Sequence, residues 1–205
     1  VNIQQGCDNF CTFCVVPFTR GREISETPDQ IYNRAHKLVQ GGAKEIVLLG
    51  QNVNSYGLDL VSKSVIEPSE KGPFVDLIER VASIPGLQSL RFTTSNPHDL
   101  TKPLADLYDG RLPLCGNYFH LPVQSGSNKI LKIMRRKVTR EEYLEKINWL
   151  RSSSPNMAIS TDIIVGFPGE TEEDFQDTLD LVKEVNFAFA YAFKYSPRKG
   201  TAAQR

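Results

Sequence analysis

The sequence has no excess charge of either sign, no long apolar stretch and few histidines. Its 24 Lys and Arg residues balance 24 Asp and Glu residues, giving a formal net charge of zero. A net charge of zero argues against a domain that binds nucleic acid through charge alone. No apolar run approaches the length of a membrane span, which argues against a membrane protein. His36, His98 and His120 show no metal-ligand spacing and are assigned no role.

A signal peptide and an initiator Met are also lacking. The 205 residues suffice for one domain with a full core, and the 40% hydrophobic and 23% charged content is that of a globular chain. Because the sequence begins at Val1 within an expected strand, we expect it to be an excised fragment, with residues 1–205 forming one core domain.

Cysteine is scarce except in one loop, where Cys7, Cys11 and Cys14 follow the spacing C-x3-C-x2-C. Thiolates favour zinc or iron–sulfur clusters. A structural zinc site normally has a fourth Cys or His ligand, and no such residue is close in sequence. A 4Fe-4S cluster with one open iron therefore fits better, with zinc or chance as the alternatives. A disulfide fits poorly for three cysteines this close together. The triad implies a reducing compartment, hence the cytoplasm, and we expect Cys115 to be a small buried hydrophobe.

Strands and helices are expected to alternate six times. Helices should begin after capping signals at Thr27, Thr139 and Thr171, and residues from about 57 to 72 should form a long loop. This order predicts an α/β fold with a parallel sheet, either open and doubly wound or a partial (β/α)6 barrel. The expected strands are 1–4, 45–49, 89–92, 117–121, 158–165 and 188–193.

Polar and glycine-containing segments follow these expected strand ends. Ligands of parallel α/β folds bind beyond the carboxyl ends of the strands, so one rim would gather these segments beside the cysteine loop. An ordinary βα turn explains Gly50-Gln51-Asn52 equally well, and Phe13 suits either an adenine face or a hydrophobic loop anchor. The candidate cofactor-binding residues are Phe13, Gly50, Gln51, Asn52, Gln124, Ser125, Thr161, Asp162 and Gly166.

One basic run stands out near the middle of the chain. It fits a solvated helix face, and the alternative is contact with RNA phosphate. The run consists of Lys129, Lys132, Arg135, Arg136, Lys137 and Arg140.

Several motifs together resemble the radical S-adenosylmethionine (SAM) methylthiotransferase family, over essentially the whole chain. The branch that acts on tRNA is the most similar, and the chain departs from the usual family pattern at Val138. The stretches that carry the resemblance are 6–21, 48–56, 121–127, 162–171 and 195–201.

This resemblance implies an open, TIM-like barrel and an enzyme that cleaves SAM reductively to a 5′-deoxyadenosyl radical. The radical would serve methylthiolation of C2 of N6-isopentenyl-adenosine at position 37 of tRNA. Cys7, Cys11 and Cys14 would ligate the 4Fe-4S cluster, and Gln51, Asn52, Gln124, Thr161 and Asp162 match stretches that line the SAM pocket.

The resemblance also implies an N-terminal domain with a second 4Fe-4S cluster and a C-terminal RNA-binding TRAM domain, both outside this sequence. Implied partners are tRNA, SAM and a reducing protein such as flavodoxin or ferredoxin. Alternative functions are methylthiolation of a ribosomal protein or of threonylcarbamoyl-adenosine in tRNA. A more distant alternative is a zinc-stabilised binding domain without catalysis.

Overall fold

Strands and helices alternate through the part of the chain that the computed structural model describes, residues 1–93, 95–113 and 118–204. The strands are β1 (Gln4–Gln5), β2 (Ile24–Ser25), β3 (Glu45–Leu48), β4 (Ser89–Phe92), β5 (Tyr118–His120), β6 (Ala158–Val165) and β7 (Phe189–Lys194). The helices are α1 (Val16–Thr19), α2 (Pro28–Gln40), α3 (Leu58–Ser62), α4 (Pro73–Ala82), α5 (Lys102–Asp106), α6 (Asn128–Ile133), α7 (Arg140–Ser153) and α8 (Glu172–Val185). The fold is of the predicted α/β class.

Parallel pairing joins strands that follow one another in the chain. β3 pairs with β4, and β5, β6 and β7 pair in that order. A parallel bridge between Asn2 and Leu49 places the N-terminal segment beside β3. A doubly wound sheet reverses its strand order at a switch point, whereas β3–β4 and β5–β6–β7, which form separate sheets, each follow chain order. The arrangement is that of a partial, open barrel, the second of the two predicted folds.

Some predictions fall outside the described residues. Residues 114–117 precede β5, and this segment contains Cys115 and Asn117. The expected burial of Cys115 and the expected start of the fourth strand at Asn117 therefore stay predictions.

The N-terminal segment differs from the single strand that the sequence predicts. The backbone N–H of Ile3 donates to Leu49 at 3.0 Å, so residues 1–3 run beside the end of β3. β1 then pairs antiparallel with β2, with Gln4 opposite Ser25. The cysteine loop is therefore closed at its base by a short two-stranded ribbon, which local sequence patterns do not reveal.

The three predicted helix starts are confirmed by their capping geometry. Thr27, Thr139 and Thr171 each accept a hydrogen bond from the third helical residue, whose side chain in turn bonds the cap residue. These reciprocal bonds satisfy backbone donors that would otherwise lack partners. No helix in the described ranges is long and apolar enough to span a bilayer.

One smaller expectation, the long loop over residues 57–72, was wrong. The segment 57–72 contains α3, whose Leu60 is buried in the core. In α8, Leu179 is exposed, whereas Asp174 and Thr178 are buried. Both polar residues face inward because they bond the segment before α6: Ser127 donates to Asp174 and Gly126 donates to Thr178.

A small apolar cluster lies apart from the main core. Ile130 and Met134 pack with Phe167, and partly buried side chains that include Phe13 and Ile164 lie against them. Because Phe13 belongs to the cysteine loop and Ile164 to β6, this cluster holds the loop against the carboxyl end of the sheet.

Candidate cluster and cofactor site

The cysteine loop is fastened at several points of its backbone. The N–H of Cys7 donates to Gly21 at 3.3 Å, and the N–H of Cys14 donates to Cys11 at 3.0 Å. The backbone N–H of Thr12 donates to the carbonyl of Met134 at 3.1 Å, and the carbonyl of Thr12 accepts from the N–H of Ala203 at 2.9 Å. The three cysteines are therefore presented on a fixed backbone, half-buried and without a disulfide.

Each cysteine sulfur has a hydrogen-bond donor beside it. Asn9 Nδ2 lies 3.6 Å from Cys7 Sγ, and the backbone N of Val16 lies 3.5 Å from Cys14 Sγ. Burial raises the pKa of the Cys7 and Cys14 thiols, and these hydrogen bonds act in the opposite direction. Donors of this kind favour the thiolate, which is the form that binds a metal.

The thiols fit a cluster better than a single ion. Among the described residues, no three Cys, His, Asp or Glu side chains converge on one point where a metal ion could contact them all. A zinc ion needs ligands at about 2.0–2.3 Å from one centre. An iron–sulfur cluster spreads its ligands over several irons, so three thiols that share no single metal position can still hold one.

Gly50 and Gln51 support the loop from the end of β3. Gln51 Oε1 accepts from the N–H of Gly6 at 2.6 Å. A Cβ on Gly50 would lie 2.8 Å from Cγ of Gln4, so the space beside this glycine is occupied by protein. Both residues also line a polar cavity of about 570 Å³ with Arg20.

Asn52, Ser125 and Thr161 are buried and engaged with other parts of the protein. Asn52 Nδ2 donates to Asp99 at 2.6 Å, and its Oδ1 accepts from the N–H of Asn96 at 3.0 Å. Thr161 Oγ1 accepts from the N–H of Val123 at 3.0 Å. Ser125 Oγ lies 3.3 Å from Thr178 Oγ1 and accepts from Ser127 N–H. The structure thus gives all three residues a role in holding the rim segments together.

A second cavity brings Phe13, Gln124 and Asp162 together. Its volume is about 660 Å³, within the range typical of small-molecule sites. Gln124 has a φ of 80°. Its backbone N–H donates to the carbonyl of Asp162 at 2.8 Å, and this bond holds the segment after β5 against β6. Phe13 also meets Phe167 edge-on at 6.3 Å, which confirms it as a hydrophobic anchor of the loop, and its contact with an adenine stays a prediction.

Sequence reasoning missed other residues that line this cavity. Arg198 brings a cation and Tyr195 an aromatic ring whose hydroxyl is buried without a partner in the described structure. Both residues belong to the segment 195–201, which carries part of the family resemblance but contains none of the predicted site residues. Gly166 lies nearby with a φ of 69°, and its N–H donates to the Glu170 carboxylate. The remaining lining includes Ile164, Ala192, Phe193, Lys194 and Ser196.

An acidic pocket of about 380 Å³ adjoins the other side of the cysteine loop, where Asp8 and Asn9 form part of its wall. Glu23 is buried there, and Ser55 Oγ donates to it at 2.7 Å. Burial raises the pKa of Glu23 to about 7, although the bond from Ser55 lowers it. This carboxyl group changes its charge near neutral pH.

The basic run does not form one solvated face. Arg136 is only 6% exposed, and Val138 belongs to the core. Lys129, Lys132, Arg135 and Lys137 are exposed, and Lys129 also forms an ion pair with Asp174. Alternating burial follows from the tight backbone after α6, which turns successive side chains in opposite directions.

With this geometry established, comparison with known proteins identifies the family. A family model described as the Radical SAM superfamily matches residues 1–182. The chain belongs to the Radical SAM superfamily. Its members use a 4Fe-4S cluster and SAM, which confirms these two cofactors as predicted.

Solved structures of this superfamily share the fold. The radical S-adenosylmethionine methyltransferase TsrM from Kitasatospora setae, bound to cobalamin and a 4Fe-4S cluster, has a TM-score of 0.75 and 14% identity over 100% of this chain and 35% of its own. Coproporphyrinogen III oxidase (HemN) from Escherichia coli has a TM-score of 0.61 and 17% identity over 100% of this chain and 45% of its own. At such low identity, these Radical SAM neighbours show the fold alone.

Curated relatives within the superfamily are much more similar in sequence. Proteins named tRNA-2-methylthio-N(6)-dimethylallyladenosine synthase, from Rickettsia rickettsii (strain Sheila Smith) and Clostridium botulinum (strain Loch Maree / Type A3), are 53% and 54% identical. The alignments cover 98% and 100% of this chain and 44% of each relative. The chain therefore spans less than half the length of these relatives.

Proposed function

We propose that this chain is the SAM-cleaving core of a tRNA methylthiotransferase that modifies C2 of N6-isopentenyl-adenosine at position 37. The observation that carries the proposal is that Phe13 belongs both to the cysteine loop and to the wall of the 660 Å³ cavity. A cofactor in that cavity would lie directly beside a cluster on the loop. The names of the relatives at 53% and 54% identity support the choice of substrate.

Cys7, Cys11 and Cys14 hold the cluster in this proposal, leaving one position free for SAM. When bound, the cluster supplies the electron that cleaves the sulfonium bond of SAM. The chain contributes a fixed backbone at Thr12 and a donor beside each sulfur.

The cavity residues bind and orient SAM. Phe13 offers a ring face to the adenine. Asp162 accepts hydrogen bonds and Gln124 can donate or accept them. Arg198 suits the carboxylate of the methionine moiety because guanidinium matches carboxylate geometry. Gln51 and Asn52 do not contact SAM in this proposal. Gln51 holds the cysteine loop and Asn52 holds the rim segments.

The complete enzyme would need more than this core. Cys115 is the only cysteine beyond the loop, and one thiol alone cannot hold the second 4Fe-4S cluster that would carry sulfur. Zero net charge also leaves little general attraction for RNA phosphate. We therefore place the second cluster and the TRAM domain in the part of the relatives that lies outside this chain. The expected setting is cytoplasmic, with flavodoxin or ferredoxin as reductant.

One reaction tests this assignment. The chain, reconstituted anaerobically with iron and sulfide, is mixed with SAM, a strong reductant and isopentenylated tRNA. We expect 5′-deoxyadenosine without methylthiolated tRNA, both measured by mass spectrometry. A loaded chain that cleaves no SAM would contradict the proposal. Product analysis of tRNA from a deletion strain distinguishes the isopentenyl substrate from threonylcarbamoyl-adenosine or a ribosomal protein.

A further inference from the structure

Arg136 is a buried arginine beside the cysteine loop. It is 6% exposed, and it follows α6 in a tight turn where Arg135 and Lys137 both have positive φ values, 57° and 24°. Its backbone N–H donates to Leu131 at 2.9 Å. The turn therefore directs this one cation of the basic run into the protein, while its two neighbours are exposed.

Among the described residues, the guanidinium has two hydrogen-bond partners, and neither is a carboxylate. Nη2 donates to the carbonyl of Pro122 at 2.5 Å, and Nη1 lies 3.6 Å from Cys11 Sγ. Nε is buried with no hydrogen-bond partner in the described structure. In the same ranges, no ion pair joins Arg136 to an Asp or Glu side chain, unlike Arg140, which pairs with Glu184.

A buried charge without a counter-charge is costly, and arginine cannot relieve that cost by losing its proton. Among the described contacts of the guanidinium, Cys11 is the group that can become anionic, with its Sγ 3.6 Å from Nη1. This cation is therefore suited to compensate an anionic cluster.

We propose that Arg136 is a positioning residue that fixes Cys11 and raises the reduction potential of the cluster. The inference rests on the proposed function, because it needs Cys11 as a cluster ligand. Reduction adds one electron, supplied by an external low-potential donor, and makes the cluster more negative by one charge. A fixed cation stabilises that state more than the oxidised one, and hydrogen bonds to the sulfurs act in the same direction.

The first test compares Arg136→Gln, which removes the charge, with Arg135→Gln, which removes an exposed charge from the adjacent position. Both are reconstituted anaerobically, and the potential is measured by EPR-monitored titration. We expect the reduced-to-oxidised ratio at a fixed potential to fall at least tenfold in Arg136→Gln, which is about 59 mV for one electron. Arg135→Gln should match the parent. Parent-like potential in fully loaded Arg136→Gln would overturn the inference.

A second test uses the parent chain and so does not depend on a variant taking up iron. The parent chain is labelled with [15N-guanidino]arginine, and the reduced cluster is examined by pulsed EPR for coupling to 15N. We expect coupling from one guanidinium, and its absence in a fully loaded sample would overturn the inference. A parent that takes up no iron would overturn the proposed ligand set as well, whereas a loaded parent without the coupling would overturn only the role of Arg136.

Discussion

The side-chain carbonyl of Gln51 accepts a hydrogen bond of 2.6 Å from the backbone N–H of Gly6. Gly6 directly precedes Cys7, and Gln51 lies just beyond the end of β3. The bond therefore ties the first cysteine of the loop to a core strand. A glutamine in this position can affect the cluster without touching SAM.

Gln51→Ala is accordingly expected to lower the amount of iron retained after reconstitution and desalting. The substitution leaves the Gly6 N–H without its partner, at a cost of about 1 kcal/mol. Iron per chain and the SAM affinity of the loaded fraction would be measured. Gln176→Ala, on the exposed side of α8, is the matched control. Full iron with weakened SAM binding would instead make Gln51 a direct SAM contact.

Gly6→Ala should disrupt the loop more severely. Gly6 has a φ of 81°, and a Cβ there would lie 2.1 Å from the carbonyl oxygen of Arg22. The left-handed conformation alone costs roughly 1–2 kcal/mol, and the backbone clash adds to it. Gly42→Ala is the control, because Gly42 has a φ of 101° and open space around it. Urea unfolding and iron uptake should show a larger loss for Gly6→Ala; equal losses would mean that the clash is relieved by a small shift.

Local signals were sufficient to predict much of the fold. β6 begins and ends where the apolar pattern does, at Ala158 and Val165. The reciprocal cap at Thr139 is a contact between residues three positions apart. Such features depend on neighbours in sequence, so the sequence displays them directly.

The functional role of polar rim residues could not be predicted in the same way. Asn52 follows a strand, as a ligand-binding residue would, but its amide bonds Asp99 and Asn96, more than 40 positions away. Arg136 likewise belongs to a basic run, and only the turn after α6 buries it against Cys11. Whether such a side chain meets a ligand or the protein depends on long-range contacts that no spacing pattern records.

Glu23 should give the folded chain a pH-dependent stability. Burial raises the pKa of Glu23 to about 7, above its value in the unfolded chain, so the folded state binds more protons between these values. The neutral carboxyl group of Glu23 therefore contributes fully to the free energy of unfolding below about pH 4.5, and this contribution is lost as pH rises through about 7. The total change is roughly 3 kcal/mol.

Glu23→Gln should remove this dependence and stabilise the chain at pH 8. Unfolding free energies of the apoprotein measured between pH 5 and 8 test the prediction. Glu67→Gln, at an exposed position, should keep the slope of the parent. A Glu23→Gln variant with the parent's slope would show that another group is responsible.

Alanine at any one of Cys7, Cys11 or Cys14 should abolish iron binding and SAM cleavage together, because three thiolates are the minimum ligand set for the proposed cluster. Cys115→Ala should leave both intact. Iron content and 5′-deoxyadenosine yield would be compared in all four variants. Loss of iron in Cys115→Ala would require a different ligand assignment.

Asp162→Asn and Gln124→Ala should weaken SAM binding while iron content stays at the parent level. Both residues line the cavity that Phe13 shares with the cysteine loop, and neither contacts a cysteine sulfur among the described residues. Asp162 is half-buried on β6, and its Oδ1 lies 3.6 Å from Nε2 of His120. Loss of one hydrogen bond to a charged ligand group should cost about 1–3 kcal/mol, roughly a tenfold to hundredfold loss of affinity.

Titration of SAM into the loaded chain measures this effect, with Asp180→Asn on the exposed side of α8 as the control for removing one negative charge. Comparison with Gln51→Ala separates two roles. Replacing a rim residue that contacts SAM lowers SAM affinity without changing the iron content, whereas replacing a residue that holds the loop lowers the iron content first. Parent affinity in both Asp162→Asn and Gln124→Ala would exclude this cavity as the SAM site. The polar cavity beside Gln51 and Arg20 would then be the next place to look for it.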